Sequence, residues 1–425
     1  MMDPVFDAQF RLMKDAFARQ GIEIAVAFTP AGEVDYLYQV GRLLTVDSPE
    51  GFARLNDILP GLRRADRADQ TDSLTSSGLV VLSINELAGG QLSVPEALDL
   101  IDERLGAQRH TPRPDAEFPV TPVHVLHVAR ICPAVEPEPP NGGQVAPWPA
   151  PCTLSDAQGR REQVRLGVSD TGLLQDIADF SWLDGVNGEV DELSLGAPGG
   201  PARIPEYAGH GTFVAGVARC MAPSSEVYVN NHFSLSGGEL EHVIIEKLEQ
   251  LVMEFRPEVI NLSAGTYSRK DWPLLGMRGF LTAHPEITLV AAAGNDSTDR
   301  PFYPAALPEV VAVGALGIDQ IHRAWFSNYG EWVDVYALGE GLVNAYAKGV
   351  YTYQEPPKRP AKQTFHGLAR WDGTSFSAPL VAGLIAARMA GTGESSRAAS
   401  NALLELAESQ RLPGVGPALY PCQVD

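Results

Sequence analysis

The chain has 425 residues, of which 53 are acidic and 32 are basic, and its formal net charge of −21 argues against nucleic acid or an anionic membrane as its partner. The apolar fraction of 44% is that of a globular protein, and no apolar run reaches the roughly 18 residues that cross a bilayer. At about 100 to 200 residues per domain, the length predicts two or three domains.

The N-terminus, Met-Met-Asp-Pro-Val-Phe-Asp, lacks the basic stretch and apolar core of a secretory signal, which predicts a cytoplasmic protein. The four cysteines are Cys132, Cys152, Cys220 and Cys422. Their wide spacing matches neither a metal site nor a dense disulfide framework, so free thiols are expected. A Cys132–Cys152 bridge is the alternative in an oxidising compartment.

Residues 1–130 are predicted to form a small α+β domain. A helix over residues 5–20 precedes a hairpin that ends with a strand over 34–46. From that strand onward, the order strand, helix, strand, strand, helix, strand is that of a ferredoxin-like sandwich. Ser93 and Glu96 form a capping box before its second helix.

Residues 131–158 are rich in proline and are predicted to be a linker, because proline removes backbone donors and holds the chain extended. Over residues 159–425, apolar strands alternate with helical segments. Such alternation predicts an α/β fold with a mostly parallel sheet and helices on both faces.

Three short motifs carry the chemistry. Asp170 ends an apolar strand in Asp-Thr-Gly, His210 begins His-Gly-Thr-Phe-Val-Ala-Gly, and Ser375 opens a helix in Gly-Thr-Ser-Phe-Ser-Ala-Pro. Singly, each is equally typical of a helix cap, a turn or a structural residue. Together they supply what a weak serine nucleophile needs, a base and an acceptor that orients the base. The helix dipole beside Ser375 also favours a developing oxyanion.

In the order Asp, His, Ser, these motifs resemble the subtilisin-like serine peptidases, the subtilase family, over residues 160–405. The resemblance implies a doubly wound, subtilisin-like α/β domain in which Ser375 attacks the scissile carbonyl, His210 transfers the proton and Asp170 orients the imidazole. Asn295, at the end of Ala-Ala-Ala-Gly-Asn, is similar to the family's oxyanion donor. The substrate-binding residues implied are Ser263, Ala264, Gly265, Ala292, Ala293 and Gly294.

Several segments bear on the substrate. The small residues at 263–265 and 292–294 predict a broad apolar pocket for the residue before the cleaved bond. Segment 234–238 is predicted either as the strand opposite the substrate or as a plain loop. Segment 341–370 looks longer than is usual in the family and is expected to be a tolerated loop, with an insertion that shapes substrate access as the alternative. Asp372 departs from the small or amide residue usual before Gly-Thr-Ser.

The sequence therefore predicts an intracellular serine endopeptidase that acts on a dedicated protein or peptide substrate and requires no cofactor, with a structural calcium ion as an option. One rival is an inactive protease-like scaffold used as a binding module. Another is an esterase, whose Gly-x-Ser-x-Gly elbow is absent around Ser375.

The N-terminal domain is expected to bind its own catalytic domain, because its strand and helix order is similar to that of subtilase propeptides. Self-cleavage between Cys132 and Pro151 and permanent attachment are both open. The third interpretation is that this unit is a domain that binds a partner.

Overall fold

The computed structural model describes residues 4–65, 78–84, 92–105, 119–128, 136–153, 163–193, 201–355 and 357–424. The N-terminal unit comprises helices α1 (Pro4–Arg19), α2 (Pro49–Ile58) and α3 (Val94–Leu105) and strands β1 (Ile24–Phe28), β2 (Val34–Val46), β3 (Arg63–Arg64), β4 (Leu79–Ser83) and β5 (Val120–Val128). Strands β5, β2, β4 and β3 are neighbours in that order, all antiparallel, and β1 pairs with β2. The element order from β2 onward is the one predicted.

Local sequence signals fix the two helices of this sandwich. Helix α2 begins after Ser48, whose Oγ accepts a hydrogen bond from the Gly51 amide at 3.1 Å. Before α3, the Ser93 amide donates to Glu96 at 2.9 Å, which confirms the capping box. One face of the sheet packs against α2 and α3 through buried aliphatic side chains, among them Leu43, Leu82, Leu98 and Ile101.

The second unit is built on a seven-stranded parallel sheet in the order β15-β14-β13-β11-β6-β9-β7. Its strands are β6 (Arg165–Asp170), β7 (Val186–Gly188), β9 (Glu226–Asn231), β11 (Val259–Leu262), β13 (Thr288–Ala292), β14 (Val311–Leu316) and β15 (Val335–Leu338). The central strands are buried along their length and rich in Val, Leu, Ile and Ala, as expected of a sheet covered on both faces.

Helices lie on both faces of this sheet, which confirms the predicted α/β fold. Helices α4 (His210–Met221), α7 (Thr374–Thr392) and α8 (Ser396–Ser409) share one apolar core, and α5 (Glu241–Phe255) and α6 (Leu275–Ala283) share the other. In the described ranges, no helix is both long and apolar enough to cross a membrane.

The segment 341–370 is not a loop, and that expectation is wrong. It forms the antiparallel hairpin of β16 (Leu342–Thr352) and β17 (Lys362–Trp371), with the short strand β8 (Arg203–Ile204) beside β16. Its aromatic side chains turn inward: the Tyr346 ring packs edge-on against Phe365 and Trp371 at 4.9 and 5.6 Å between centroids. Burial of these rings, which only the packed fold reveals, holds the hairpin against α4.

The N-terminal unit docks on α5 and α6 through the second face of its sheet. One apolar core contains Leu44, Val81, Val123 and Val125 from the sheet together with Ile244, Ile245, Leu248, Met277 and Phe280 from the two helices. Ion pairs flank this core: Arg269 reaches Asp99 and Asp102 at 2.6 and 2.7 Å. Arg300 reaches Asp35 at 2.6 Å.

Residues 136–153 of the predicted linker are bound along the second unit. Glu138 and Arg370 exchange two backbone hydrogen bonds, as do Trp148 and Val343. Cys152, at the end of the segment, forms a disulfide with Cys422, 270 residues away in the chain. The free-thiol prediction is therefore wrong for these two cysteines, because sequence spacing hides a contact of 5.3 Å between their Cα atoms.

The remaining cysteines have different outcomes. Cys220 is a buried free thiol, as predicted. The proposed alternative bridge used Cys132, which lies outside the described residues, and its other half, Cys152, is already paired with Cys422.

Candidate active site

Asp170 and His210 meet at the carboxyl edge of the parallel sheet. Asp170 is the last residue of β6, and His210 begins α4. The His210 Nδ1 lies 2.7 Å from Asp170 Oδ1, and the Thr171 amide also donates to that oxygen at 2.8 Å. With Nδ1 protonated toward the carboxylate, the other ring nitrogen, Nε2, carries the lone pair of a base.

Two aromatic rings fix the imidazole plane. The Trp371 ring stands at 89° to the His210 ring with 5.3 Å between centroids, and the Phe376 ring lies at the same distance on a tilt. Trp371 ends the hairpin strand β17, and Phe376 follows Ser375 on α7. The hairpin thus contributes directly to the packing of the candidate base.

Ser375 is the second residue of α7 and is buried. Its Oγ donates to the Ser263 carbonyl at 3.4 Å, and the Ser263 Oγ donates back to the Ser375 carbonyl at 2.7 Å. Across the part of the chain that the structure describes, no hydrogen bond joins Ser375 to His210. Such bonds are often long without substrate and tighten when substrate binds.

Asn295 lies behind the start of α7. Its Oδ1 accepts hydrogen bonds from the Thr374 amide at 3.0 Å and from Thr374 Oγ1 at 2.8 Å. A Cβ at Gly373 would lie 3.5 Å from Asn295 Nδ2, which places the amide NH₂ on the side of the chain that leads into Ser375. An asparagine whose oxygen is held in this way has its NH₂ directed as a donor.

Strand β5 of the N-terminal unit lies in the cleft between two short strands, β10 (Gly238–Leu240) and β12 (Ala264–Gly265). On one side His127 pairs with Gly238, and on the other side it pairs with Gly265, with Val128 opposite Ala264. Both pairings are antiparallel. The predicted segment 234–238 therefore supplies the first residue of the opposing strand.

The register directs β5 at the serine. The Val128 amide donates to the Gly237 carbonyl at 2.8 Å, and Ala264 is the partner of Val128. The next residue along the facing strand is Ser263, whose carbonyl accepts from Ser375. A chain that continues in this register brings its next peptide bond to Ser375.

One aromatic ring lies close to both walls of the expected pocket. A Cβ at Gly265 would lie 2.4 Å from the ring of Phe302, and a Cβ at Gly294 would lie 3.2 Å from the same ring. Phe302 is fully buried. The broad apolar pocket therefore stays a prediction, and the Phe302 ring is a side chain that both of its walls approach.

Asp191 is a buried carboxylate beneath the Asp170–His210 pair that the sequence analysis did not find. Its Oδ2 accepts from the Gly209 amide at 2.6 Å and from Thr171 Oγ1 at 3.1 Å. Burial, with the nearby charge of Asp170 adding to it, raises the pKa of Asp191 to about 7. No local motif marks this residue, since its partners lie 18 and 20 positions away in the chain.

Two further polar residues shape the site. Asn328 brackets the loop that carries Asn295, since its Nδ2 donates to the Ala293 carbonyl at 2.8 Å and its Oδ1 accepts from the Asp296 amide at 2.9 Å. Asp372 accepts from the Gly341 amide at 2.6 Å, which explains its place before Gly-Thr-Ser: it ties the serine segment to the start of the hairpin.

The sheet and the site together are those of a serine hydrolase. A model of the subtilase family matches residues 161–411. An intracellular serine protease of Paenibacillus polymyxa is 28% identical over 56% of this chain and 69% of its own length. The subtilisin-like protease PopC of Myxococcus xanthus is 31% identical over 56% of this chain, which spans 54% of that protein.

A solved structure is similar over most of the chain. Fervidolysin from Fervidobacterium pennivorans, described as a keratinolytic enzyme related to subtilisin, matches 90% of this chain and 60% of its own length with a TM-score of 0.54 at 15% identity. This likeness concerns the fold alone. The family match covers more than half of the chain, and the chain belongs to the subtilase family.

Proposed function

We propose that this chain is a serine endopeptidase in which Ser375 is the nucleophile, His210 the base and Asp170 the residue that orients the imidazole. The contact of 2.7 Å between His210 Nδ1 and Asp170 Oδ1 is the observation that carries the proposal. It leaves Nε2 to accept the Ser375 proton as Oγ bonds to the scissile carbonyl carbon. The same proton then passes to the leaving amine, and water repeats the sequence to release the acyl group.

The developing oxyanion is stabilised by two kinds of donor. Asn295 offers its Nδ2, held in place by the two bonds that its oxygen accepts from Thr374. The Ser375 amide, in the first turn of α7, adds a second donor at the positive end of a 19-residue helix dipole. These donors are fixed before substrate arrives, so little reorganisation is needed in the transition state.

The cleft binds extended peptide by β-strand addition, and β5 supports this by pairing there on both edges. A protein or peptide is therefore the substrate class. The mechanism needs no cofactor, and treatment with EDTA is expected to leave peptide cleavage unchanged. A structural calcium ion would be indicated by an EDTA-induced fall in melting temperature with peptide cleavage retained.

The N-terminal unit acts as an intramolecular inhibitor in this proposal, since β5 fills the position that substrate would take. The apolar docking on α5 and α6 and the ion pairs of Arg269 and Arg300 support a tight association. Self-cleavage would fall between Val128 and Glu136, because the strand before lies in the cleft and the segment after is bound along the hairpin.

The fate of this unit is measurable. Intact masses of wild type and Ser375→Ala, expressed side by side, separate self-cleavage from retention: a shorter product only in the wild type supports cleavage. Equal full-length masses would show that the unit stays attached. Added as a separate domain, residues 1–130 should slow peptide cleavage by the cut enzyme, and failure to do so would reject the inhibitor role.

Cytoplasmic location stays a prediction. The disulfide between Cys152 and Cys422 is typical of proteins that fold in an oxidising compartment. Trapping thiols with an alkylating reagent at the moment of cell lysis decides the matter: unmodified Cys152 and Cys422 point to an oxidising compartment, and alkylated ones to the cytoplasm.

A serine-directed fluorophosphonate tests the catalytic assignment. Wild type should be labelled and Ser375→Ala should not. Ser377 lies on the same helix and donates to the carbonyls of Ala337 and Leu338, so Ser377→Ala is a matched control that should keep its label. A folded wild-type protein that takes no label and cuts no peptide would instead establish the inactive scaffold.

A further inference from the structure

Phe302 lies close to two glycines, one in each wall of the expected substrate pocket. Gly265 is the last residue of β12, which pairs with β5, and Gly294 precedes the candidate oxyanion donor. Virtual Cβ atoms on these glycines meet the Phe302 ring at 2.4 Å and 3.2 Å. The same ring therefore borders both walls.

The backbone holds this ring in place. The neighbouring residue, Tyr303, exchanges two backbone hydrogen bonds with Thr266, at 2.8 and 2.9 Å. The Tyr267 ring packs edge-on against Phe302 with 5.2 Å between centroids. Since Phe302 is fully buried and its flanking backbone is paired, the ring has no free side into which it could withdraw.

The register of β5 relates the residue before the cleaved bond to the same ring. His127 on β5 lies opposite Gly265, and its ring meets Phe302 edge-on with 6.1 Å between centroids. In an extended strand, residues two apart share a face. Consider a substrate residue that takes the place of His127. The residue two positions after it stands opposite Ser263, beside Ser375, and on the same face of the strand. Its side chain is therefore expected to be directed at Phe302.

We propose that Phe302 is the specificity-determining residue and that it restricts the position before the cleaved bond to Gly, Ala or Ser. The inference rests on the proposed endopeptidase function. A branched or aromatic side chain would have to displace a packed ring, at the cost of its contacts and of the paired backbone beside it. The residue that follows β5 in the sequence is Ala129, which belongs to the accepted class.

Peptides that differ only in the residue before the cleaved bond test the proposal on the expressed full chain, in the form that it reaches after any self-cleavage. Wild type is expected to cut after Ala with a kcat/KM on the order of 100-fold above that after Phe or Leu. Phe302→Ala should reduce this ratio by at least about tenfold by raising cleavage after the large residues. Phe302→Leu keeps most of the bulk and should keep the preference for small residues.

The experiment separates failure of the proposal for Phe302 from failure of the proposed peptidase function. Fluorophosphonate labelling of wild type without a preference for small residues would overturn the role of Phe302 and leave the peptidase assignment standing. No labelling and no cleavage would overturn both. If Phe302→Ala fails to fold, the wild-type profile still decides, together with two peptidyl phosphonates that carry an Ala or a Phe side chain: faster labelling by the Phe reagent would sink the proposal.

Discussion

Replacing Asp191 by Asn should make the protein more stable at alkaline pH and leave it unchanged in acid. Burial raises the pKa of Asp191 to about 7 from an ordinary value of 3.8. Between about pH 4 and pH 7, the Asp191 carboxyl group is therefore protonated in the folded chain and ionised in the unfolded chain. Between these pH values the free energy of unfolding falls as the pH rises, and above pH 7 the full loss of stability is present. An Asn side chain is neutral at every pH and therefore loses no stability in this way. Its Oδ1 can still accept the hydrogen bond from the Gly209 amide.

The magnitude follows from the same two values. At about 1.4 kcal/mol for each tenfold change in proton affinity, the difference amounts to at most about 4 kcal/mol. For a chain of 425 residues, an unfolding entropy of about 2 cal/mol/K per residue converts this into a rise in melting temperature of about 5 °C.

Calorimetry of the Ser375→Ala protein, which cannot digest itself, is the assay. Melting temperatures of Asp191→Asn and its parent should coincide at pH 4 and separate toward pH 8. Glu192→Gln removes the same charge from an exposed neighbour and serves as the control. A constant difference at all pH values, or a variant that loses stability at pH 8, would refute the argument that Asp191 is buried at a cost beside Asp170.

Three further predictions concern other parts of the molecule. Asn295→Ala should lower kcat by roughly 10²- to 10³-fold with little change in KM, since its Nδ2 is placed to donate to the oxyanion; an unchanged kcat would remove it from the site. Burial alone would raise the pKa of Asp102, but the hydrogen bonds and ion pairs with Lys270 and Arg269 lower this pKa. The ionised Asp102 therefore stabilises the domain interface above pH 3.8, and this stabilisation is lost as the pH falls further. Asp102→Asn should therefore speed hydrogen exchange in β5 at pH 7 in a Ser375→Ala background, and protection equal to the parent's would contradict this. Cys152→Ser opens a loop of 270 residues, and the loop-closure entropy predicts that this lowers the free energy of unfolding by about 5 to 6 kcal/mol. Calorimetry that shows no loss of stability would contradict this prediction.

The sequence alone predicted the parallel sheet, the sandwich order of the N-terminal unit and the motifs of Asp170, His210 and Ser375. These are local signals. Strand and helix periodicity, capping residues and short motifs depend on neighbours within a few positions, and the order of three motifs in one chain is enough to indicate a family.

Only the tertiary structure decided how the cleft is filled. The Phe302 ring lies close to two glycines that are 37 and 8 positions away in the chain. In the same way, Cys152 meets Cys422, and β5 lies between β10 and β12. Contacts between residues so distant in sequence leave no periodic or compositional trace, since they arise only when separate elements pack into one body.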